Sequence, residues 1–288
     1  MSRPGDIFVT VKRLAIVLLC MALGGCAANK LLVFEDPAGD DHGPGSYRYP
    51  DHPAFSPGSF DLREMAISRE GDDWVIEVLF ASPLKKALVF VRQDDRRELF
   101  PQAVDVYFRL GTGPGHAECL PGRDVGFAPE DGWHKAIVIT SVPHELRRAL
   151  ESTTGVSADV FIPNRVRHSG RRLRAWIPVS FLGEQLPYTV SVLITGTSFR
   201  RSFMIADRVR DTLKPEGMSM DVTRSAGECR LDDPEGMDCS FYGCDPCGCH
   251  PRVIDGLFPA DILRKYDPSG GRQVVIPMIK VEGPIRTK

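Results

Sequence analysis

Alternation of apolar and polar residues with a period of two limits the possible folds of this chain more than any other feature. Four segments show it most clearly, each with the length of a strand that buries one face: residues 74–80, 104–110, 135–140 and 188–194. Proline and glycine are scattered through the whole chain instead of being gathered in one linker. The pattern therefore favours one β-sandwich with long loops over two separate domains.

Weaker signals extend this prediction to the rest of the chain. Residues 165–167 and 171–177 flank His168-Ser169-Gly170, a short glycine-containing link that is typical of a β-hairpin. Residues 273–281 predict a last strand. Only two segments are helix-like, each opening with proline: residues 143–152 and 259–266. We therefore expect an all-β fold, a β-sandwich of antiparallel strands with long loops and one or two short helices.

The N-terminus has the layout of an export signal. Three basic residues precede an apolar run at residues 14–23, which is shorter than the ~20 residues that a membrane-spanning helix needs. The run ends in Leu23-Gly24-Gly25-Cys26, which resembles the lipobox of bacterial lipoproteins. The resemblance implies that residues 1–25 are removed as a signal peptide and that Cys26 carries lipid. We expect an anchor in a bacterial membrane, on the periplasmic or surface face of the outer membrane; the alternative is an ordinary secretory signal in which Cys26 is incidental.

The charge of the chain argues for solubility and against one class of partner. After residue 25 the chain holds 33 basic and 37 acidic residues, a net charge of −4. This mild excess argues only for solubility. The sequence shows no basic tract and no basic stripe with interleaved aromatic residues. Nucleic acid is therefore not expected as a partner.

An acidic loop near the start of the mature chain suggests a metal site. Asp36, Asp40 and Asp41 place three carboxylates within six residues, on a segment rich in glycine. Such crowding of like charge is costly without a counter-ion. A hard cation with oxygen ligands, most naturally Ca²⁺, would relieve it, with Asp61 or a nearby carbonyl completing the ligand shell. The alternative is a solvated acidic loop whose aspartates cap turns.

The same region carries a family resemblance. Residues 36–50 (DPAGDDHGPGSYRYP) and 55–62 (FSPGSFDL) resemble the opening of the C-terminal module of glucodextranase, a β-sandwich related to family 9 carbohydrate-binding and DOMON-type modules. Further segments resemble the middle and the end of that module: residues 104–107, 120–123, 132–133, 251–255 and 266–268. The resemblance implies one glucodextranase-C-like domain over residues 26–283, followed by a tail at residues 284–288.

This resemblance implies binding without catalysis. The chain carries no hydrolase domain, no G-x-S-x-G elbow and no P-loop. His144-Glu145 begins like a zinc-protease motif, yet the second histidine one helical turn later is missing. We therefore expect a non-enzymatic, carbohydrate-binding module of the cell envelope. Its expected partners are the membrane, through the lipid anchor, an envelope or extracellular polysaccharide, and a separate glycoside hydrolase.

Six cysteines remain when Cys20 and Cys26 are set aside, and five of them crowd into a loop at residues 229–250. In an oxidising compartment an even number of cysteines predicts disulfides: Cys119, Cys229, Cys239, Cys244, Cys247 and Cys249. The rival is a metal site, for which four ligands have tolerable spacing: Cys244, Cys247, Cys249 and His250. Covalent haem is not expected, because Gly248 stands where the attachment motif requires histidine.

Trp133 is the candidate for contact with sugar, because an aromatic face complements the C–H face of a pyranose. It follows Glu130-Asp131-Gly132 in a predicted loop, whereas Trp74 and Trp176 lie in predicted strands, where core packing is expected. Burial of Trp133 in the core is the alternative.

Two other functions stay open at this point. The first is a periplasmic electron-transfer protein, since related DOMON-type sandwiches hold haem b between strand side chains. Four methionines keep this idea open, although scattered methionines usually belong to the core: Met204, Met218, Met220 and Met278. The second is a structural assembly partner that binds no ligand.

Overall fold

Two β-sheets packed face to face form the main body of the fold in the computed structural model. The structure describes residues 30–43, 56–92, 95–120, 123, 125–141, 143–151, 155–185, 187–196, 253–265 and 274–281. The first sheet contains five antiparallel strands, in the order β1 (Lys30–Glu35), β2 (Leu62–Glu70), β3 (Asp73–Phe80), β11 (Arg172–Pro178) and β10 (Val166–Ser169).

The second sheet contains six strands around a long central pair. Its order is β13 (Asp255–Gly256), β12 (Thr189–Gly196), β6 (Gln102–Arg109), β8 (Lys135–Ile139) and β9 (Val160–Phe161), with β15 (Ile279–Lys280) also paired to β12. All of these pairs are antiparallel except β8 with β9.

Smaller elements complete the described part of the chain. They are the hairpin β4 (Ala87–Arg92) and β5 (Asp95–Leu99), the parallel pair β7 (Val125–Gly126) and β14 (Val274–Val275), the helices α1 (Pro143–Glu151) and α2 (Val179–Leu182), and the 3₁₀ turns Pro129–Asp131, Ser157–Asp159 and Ala260–Lys265. Among these described residues, no helix is both long enough and apolar enough to cross a membrane.

Two hydrophobic cores lie on opposite faces of the second sheet. The first core fills the space between the two sheets and includes Val104, Val106 and Phe108 of β6. The second core lies on the other face and includes Tyr107 of β6 together with side chains from α1, from residues 253–263 and from residues 274–278. Because successive side chains of a strand point to opposite faces, β6 is buried on both sides.

The structure confirms the all-β sandwich and the four clearest predicted strands, which correspond to β3, β6, β8 and β12. Three details differ. The β10–β11 hairpin turns at Gly170-Arg171, so that His168 and Ser169 belong to the strand. The last predicted strand, residues 273–281, is two short strands, β14 and β15, and the predicted helix at residues 259–266 is a 3₁₀ turn. The predicted signal peptide, Cys26 and the domain limits at residues 26–283 stay predictions, since residues 1–29 and 282–288 lie outside the described residues.

Candidate metal centre

Strand pairing brings three distant acidic segments to one place. The loop that carries Asp36, Asp40 and Asp41 follows β1 directly, while Asp61 immediately precedes β2. The loop stays attached to β2, because the Asp36 backbone N–H donates to the Arg63 carbonyl at 3.1 Å. At its far end the Gly43 backbone N–H donates to the Ile254 carbonyl at 2.8 Å. This last bond brings the loop to the start of β13, where Asp255 lies.

These five aspartates form a cluster, called here the acidic cluster: Asp36, Asp40, Asp41, Asp61 and Asp255. One carboxylate oxygen from each of Asp36, Asp40 and Asp255 lies within 4.8 Å of the others. Two oxygens that both bind one Ca²⁺ at about 2.4 Å cannot be more than about 4.8 Å apart. The three oxygens therefore satisfy the distance limit of a common Ca²⁺ ligand shell.

Two members of the acidic cluster are held in place by backbone donors. The Gly39 N–H donates to Asp61 Oδ2 at 2.7 Å, and Gly39 has a φ of 78°, which glycine adopts at little cost. The Leu62 N–H donates to Asp255 Oδ2 at 2.6 Å, and the Gly256 N–H donates to Asp255 Oδ1 at 2.8 Å. These bonds orient the two carboxylates, and each donor by itself favours the charged form of its carboxylate.

Other oxygens of the acidic cluster have no such partner. Asp36 Oδ2, Asp40 Oδ1 and Asp61 Oδ1 are buried, and among the described residues no donor makes a hydrogen bond with them. A buried carboxylate oxygen without a hydrogen-bond partner destabilises the folded state, and most buried polar atoms in folded proteins have such a partner. The free oxygens belong to residues that the sequence predicts as ligands, which fits a cation between them.

Burial makes the charged form of every carboxylate in the acidic cluster unfavourable. Burial, together with the smaller effects of the neighbouring Asp40 and Asp61 carboxylates, raises the pKa of Asp36 to about 8. Burial likewise raises the pKa of Asp41 to about 6, with Asp61 as the next cause. The pKa values of Asp40, Asp61 and Asp255 are also raised, in each case chiefly by burial.

Positive side chains compensate this charge only in part. Arg63 Nε lies 3.8 Å from Asp61 Oδ1, and His42 Nε2 lies 4.0 Å from Asp41 Oδ1. The His42 side chain is 53% exposed, so much of its field is screened by water. One arginine and one exposed histidine do not balance five carboxylates, four of which are buried. The donor set, which consists of hard oxygens, suits Ca²⁺ better than a softer transition metal.

The structure places the predicted ligands Asp36, Asp40, Asp41 and Asp61 in one cluster. It adds Asp255, which was not predicted as a ligand from the sequence. Asp255 lies far from the other four along the chain, and no local spacing rule connects it to them. One feature of the sequence did point to Asp255: it ends the segment 251–255, which resembles part of the glucodextranase module.

The structure corrects the prediction that Trp133 stacks on sugar. Trp133 is fully buried in the second core, and its indole N–H donates to the Glu118 carbonyl at 2.8 Å. Its ring packs against Tyr107 at a centroid distance of 5.4 Å and against His116 at 4.4 Å. No face of the ring is open to a ligand, so the alternative of core packing is the right one.

Cys119, for which the sequence predicts a disulfide, is buried and forms no disulfide with another described residue. It lies in the second core, and burial raises the pKa of its thiol well above the usual value. The other five predicted disulfide cysteines, Cys229, Cys239, Cys244, Cys247 and Cys249, lie outside the described residues, as does His250. Their pairing stays a prediction.

Of the four methionines considered as haem ligands, only Met278 is described. It is 9% exposed and packs in the second core.

A model of the C-terminal, SLH-like binding module of glucodextranase matches residues 31–278. No curated protein matches the chain.

Proposed function

Because the chain belongs to the family of the C-terminal, SLH-like binding module of glucodextranase, we propose that it is a non-catalytic module that binds polysaccharide. The observation that carries this proposal is the match of a binding-module family over residues 31–278. We further propose that the module acts by display at the cell envelope and that a separate glycoside hydrolase cleaves the glycan.

Affinity electrophoresis tests the binding proposal. The mature protein is run in native gels that contain soluble polysaccharides, with neutral glucans such as dextran beside acidic polysaccharides. We expect at least one polysaccharide to retard the protein relative to an inert protein of similar charge. Reducing-end assays on the same mixtures should show no cleavage. Equal mobility in all gels, or release of reducing ends, would contradict the proposal.

We propose a structural Ca²⁺ held by Asp36, Asp40 and Asp255, with Asp61 and Asp41 beside them. The support for this proposal is the close approach of three carboxylate oxygens and the three buried oxygens that lack donors among the described residues. A bound Ca²⁺ would offset the charge of the acidic cluster and hold the loop after β1 against β13. Its role is stability of the fold, with no part in chemistry.

The pH dependence of stability provides a first test of the calcium proposal. Without calcium, Asp36 and Asp41 have raised pKa values in the folded chain, whereas in the unfolded chain they return to about 3.9. The folded state then binds more protons at these two groups than the unfolded state. Their contribution to stability is therefore fully present below about pH 4 and is lost as pH rises through the folded pKa values, towards pH 8.

We therefore expect the urea midpoint of chelated protein to fall between pH 5 and pH 8. With saturating Ca²⁺ the cation replaces the protons, so this fall should be absent or much smaller. Asp36→Asn should reduce the fall in chelator, because it removes a carboxyl group whose pKa is raised to about 8 in the folded chain. A midpoint that rises with pH in chelator would contradict the prediction.

We also propose that Cys26 carries the lipid anchor, on the basis of the lipobox resemblance. Cys26→Ala is expected to leave the protein unlipidated, either soluble in the periplasm or retained as precursor, because the thiol that accepts the lipid is gone. Detergent phase partition and intact-protein mass of the wild type and the variant measure this. If the variant still enters the detergent phase with the mass of added acyl chains, the anchor is elsewhere.

A further inference from the structure

The hairpin formed by β10 and β11 carries an unusual density of arginine. Five of the ten residues from 165 to 174 are arginine, and this group is called here the arginine hairpin: Arg165, Arg167, Arg171, Arg172 and Arg174. All but Arg174 are exposed. β10 is the last strand of the first sheet, so the group lies at a sheet edge. The whole chain has a net charge of −2, so this concentration of positive charge is local.

Carboxylates balance the arginine hairpin only in part. Arg174 lies 2.5 Å from Glu70, Arg172 lies 2.5 Å from Glu77, and Arg165 lies 3.7 Å from Asp73. Three carboxylates therefore meet five guanidinium groups. Within the described part of the chain, neither Arg167 nor Arg171 has an acidic side chain as an ion-pair partner. The surface retains an excess of positive charge that is open to solvent.

Strand pairing holds two of these arginines close together, which lowers the stability of the sheet. Arg167 on β10 is directly opposite Arg174 on β11. Like charges that face each other across an antiparallel pair destabilise the sheet. A fold that only needed this edge to be soluble could use uncharged polar residues there. The presence of arginine at these positions is expected if the positive charge serves binding.

Trp176 orders the guanidinium groups before any ligand arrives. The guanidinium carbons of Arg165, Arg174 and Arg167 lie 4.0, 5.1 and 5.7 Å from the centre of its ring. Trp176 is itself fixed, because its indole N–H donates to Glu70 Oε2 at 2.7 Å. Each cation–π contact attracts the guanidinium group to the face of the ring. Arginines that are already ordered lose less conformational entropy when they bind.

From this geometry we infer that the arginine hairpin is a binding surface for a polysaccharide whose sugars carry carboxylate groups. The planar guanidinium fork matches a carboxylate in a two-bond contact that lysine does not provide. Arg165 lies directly before β10 and Arg167 lies within it, so the two arginines follow each other along the sheet edge and suit a polymer with repeated negative groups. This inference rests on the proposed function and names the ligand class for it.

The surroundings of the arginine hairpin favour a glycan over an anionic lipid surface. Peripheral binding to a bilayer normally combines basic residues with apolar side chains that enter the interface. The exposed large apolar side chains among the described residues are Tyr188 and Val275, and neither belongs to the hairpin. The arginines lie beside the buried ring of Trp176, which is 4% exposed and is not available for insertion.

A charge-matched pair of double variants tests the inference in the full mature protein. Arg165→Gln with Arg167→Gln removes two charges from the hairpin, and Arg264→Gln with Lys265→Gln removes two from the exposed end of a 3₁₀ turn. Binding to polygalacturonate is measured by calorimetry at several salt concentrations. Wild type should bind, more weakly as salt rises. The hairpin variant should lose about tenfold in affinity for each arginine removed, and the control variant should match wild type.

The outcomes separate this inference from the proposed function. If wild type binds a neutral glucan such as dextran but not polygalacturonate, or if the hairpin variant binds polygalacturonate as tightly as wild type, the inference is overturned while the proposed function stands. If wild type binds no polysaccharide of either kind, both fail. Binding to phosphatidylglycerol vesicles that depends on the hairpin, without binding to polygalacturonate, would replace the glycan by a membrane surface. Retained circular dichroism of both variants shows that they fold.

Discussion

Replacement of Arg123 by methionine is expected to lower the free energy of unfolding by about 3–5 kcal/mol, the cost of leaving a buried charge without its partner. Arg123 Nε donates to Asp105 Oδ2 at 2.6 Å and Nη2 donates to Asp105 Oδ1 at 3.0 Å. The side chains of Arg123 and Asp105 are 2% and 0% exposed. The Tyr107 hydroxyl also donates to Asp105 Oδ2, at 3.2 Å. The ion pair therefore ties the segment before β7 to the centre of the second sheet.

Urea unfolding of three variants checks this expectation. Arg264→Met is the exposed control and should change the free energy of unfolding by no more than about 0.5 kcal/mol. Combining Arg123→Met with Asp105→Leu should recover part of the loss, because a well-packed apolar pair often replaces a buried ion pair without penalty. A loss below about 1 kcal/mol for Arg123→Met alone would mean that Asp105 finds another partner or water.

Removal of calcium is the second change with a large expected effect. At a free Ca²⁺ concentration a hundred times the dissociation constant, binding to the native state adds ~2.7 kcal/mol to stability. For a chain of this size that corresponds to a fall in Tm of roughly 5–10 °C when chelator is added. Excess Ca²⁺ should restore the Tm, and Mg²⁺ should restore it much less, because its strict octahedral shell suits a flexible loop poorly.

Asp36→Asn with Asp40→Asn should abolish the difference between chelated and calcium-loaded protein. Asp261→Asn, at a side chain that is 64% exposed, is the matched control and should keep the difference intact. The alternative of an acidic loop without a cation predicts the reverse for the cluster variant, since loss of two crowded carboxylates relieves repulsion and raises stability. Equal Tm values with and without chelator, for protein shown to contain no metal, would exclude calcium.

The sheets could be predicted from the sequence where one face of a strand is buried and the other is wet. β3 alternates in this way, and its predicted limits at residues 74–80 differ from the observed Asp73–Phe80 by one residue. β6 was predicted from the same alternation, yet its polar positions are buried too. Asp105 and Tyr107 read as solvent-facing residues, but they form a hydrogen-bonded network in the second core. The alternation of apolar and polar residues does not show whether the polar side chains face water or a buried polar partner.

The candidate metal site could be predicted only in its local part. Asp36, Asp40 and Asp41 are close in sequence, so the crowding of charge is visible there. Asp255 joins them through the pairing of β12 with β13, which no short-range pattern contains. Trp133 was misassigned for the same reason, because the segments that bury it come from distant parts of the chain.

The arginine hairpin was missed for a different reason. A search for a continuous basic tract fails because valine, histidine, serine, glycine and leucine separate the arginines along residues 165–174. Strand geometry then places Arg167, Arg172 and Arg174 on the face opposite the first core, whereas Leu173 points into it. The charge pattern becomes a surface only when the hairpin is folded.

A glycan array probed with calcium-loaded mature protein tests the central claim, polysaccharide binding, most directly. The array should carry neutral glucans and carboxylate-bearing polysaccharides side by side, with protein whose fold has been verified by circular dichroism. We expect saturable binding to at least one polysaccharide, which soluble polysaccharide of the same kind should compete away. Folded, calcium-loaded protein that binds none of the arrayed glycans would contradict the assignment of this chain as a polysaccharide-binding module.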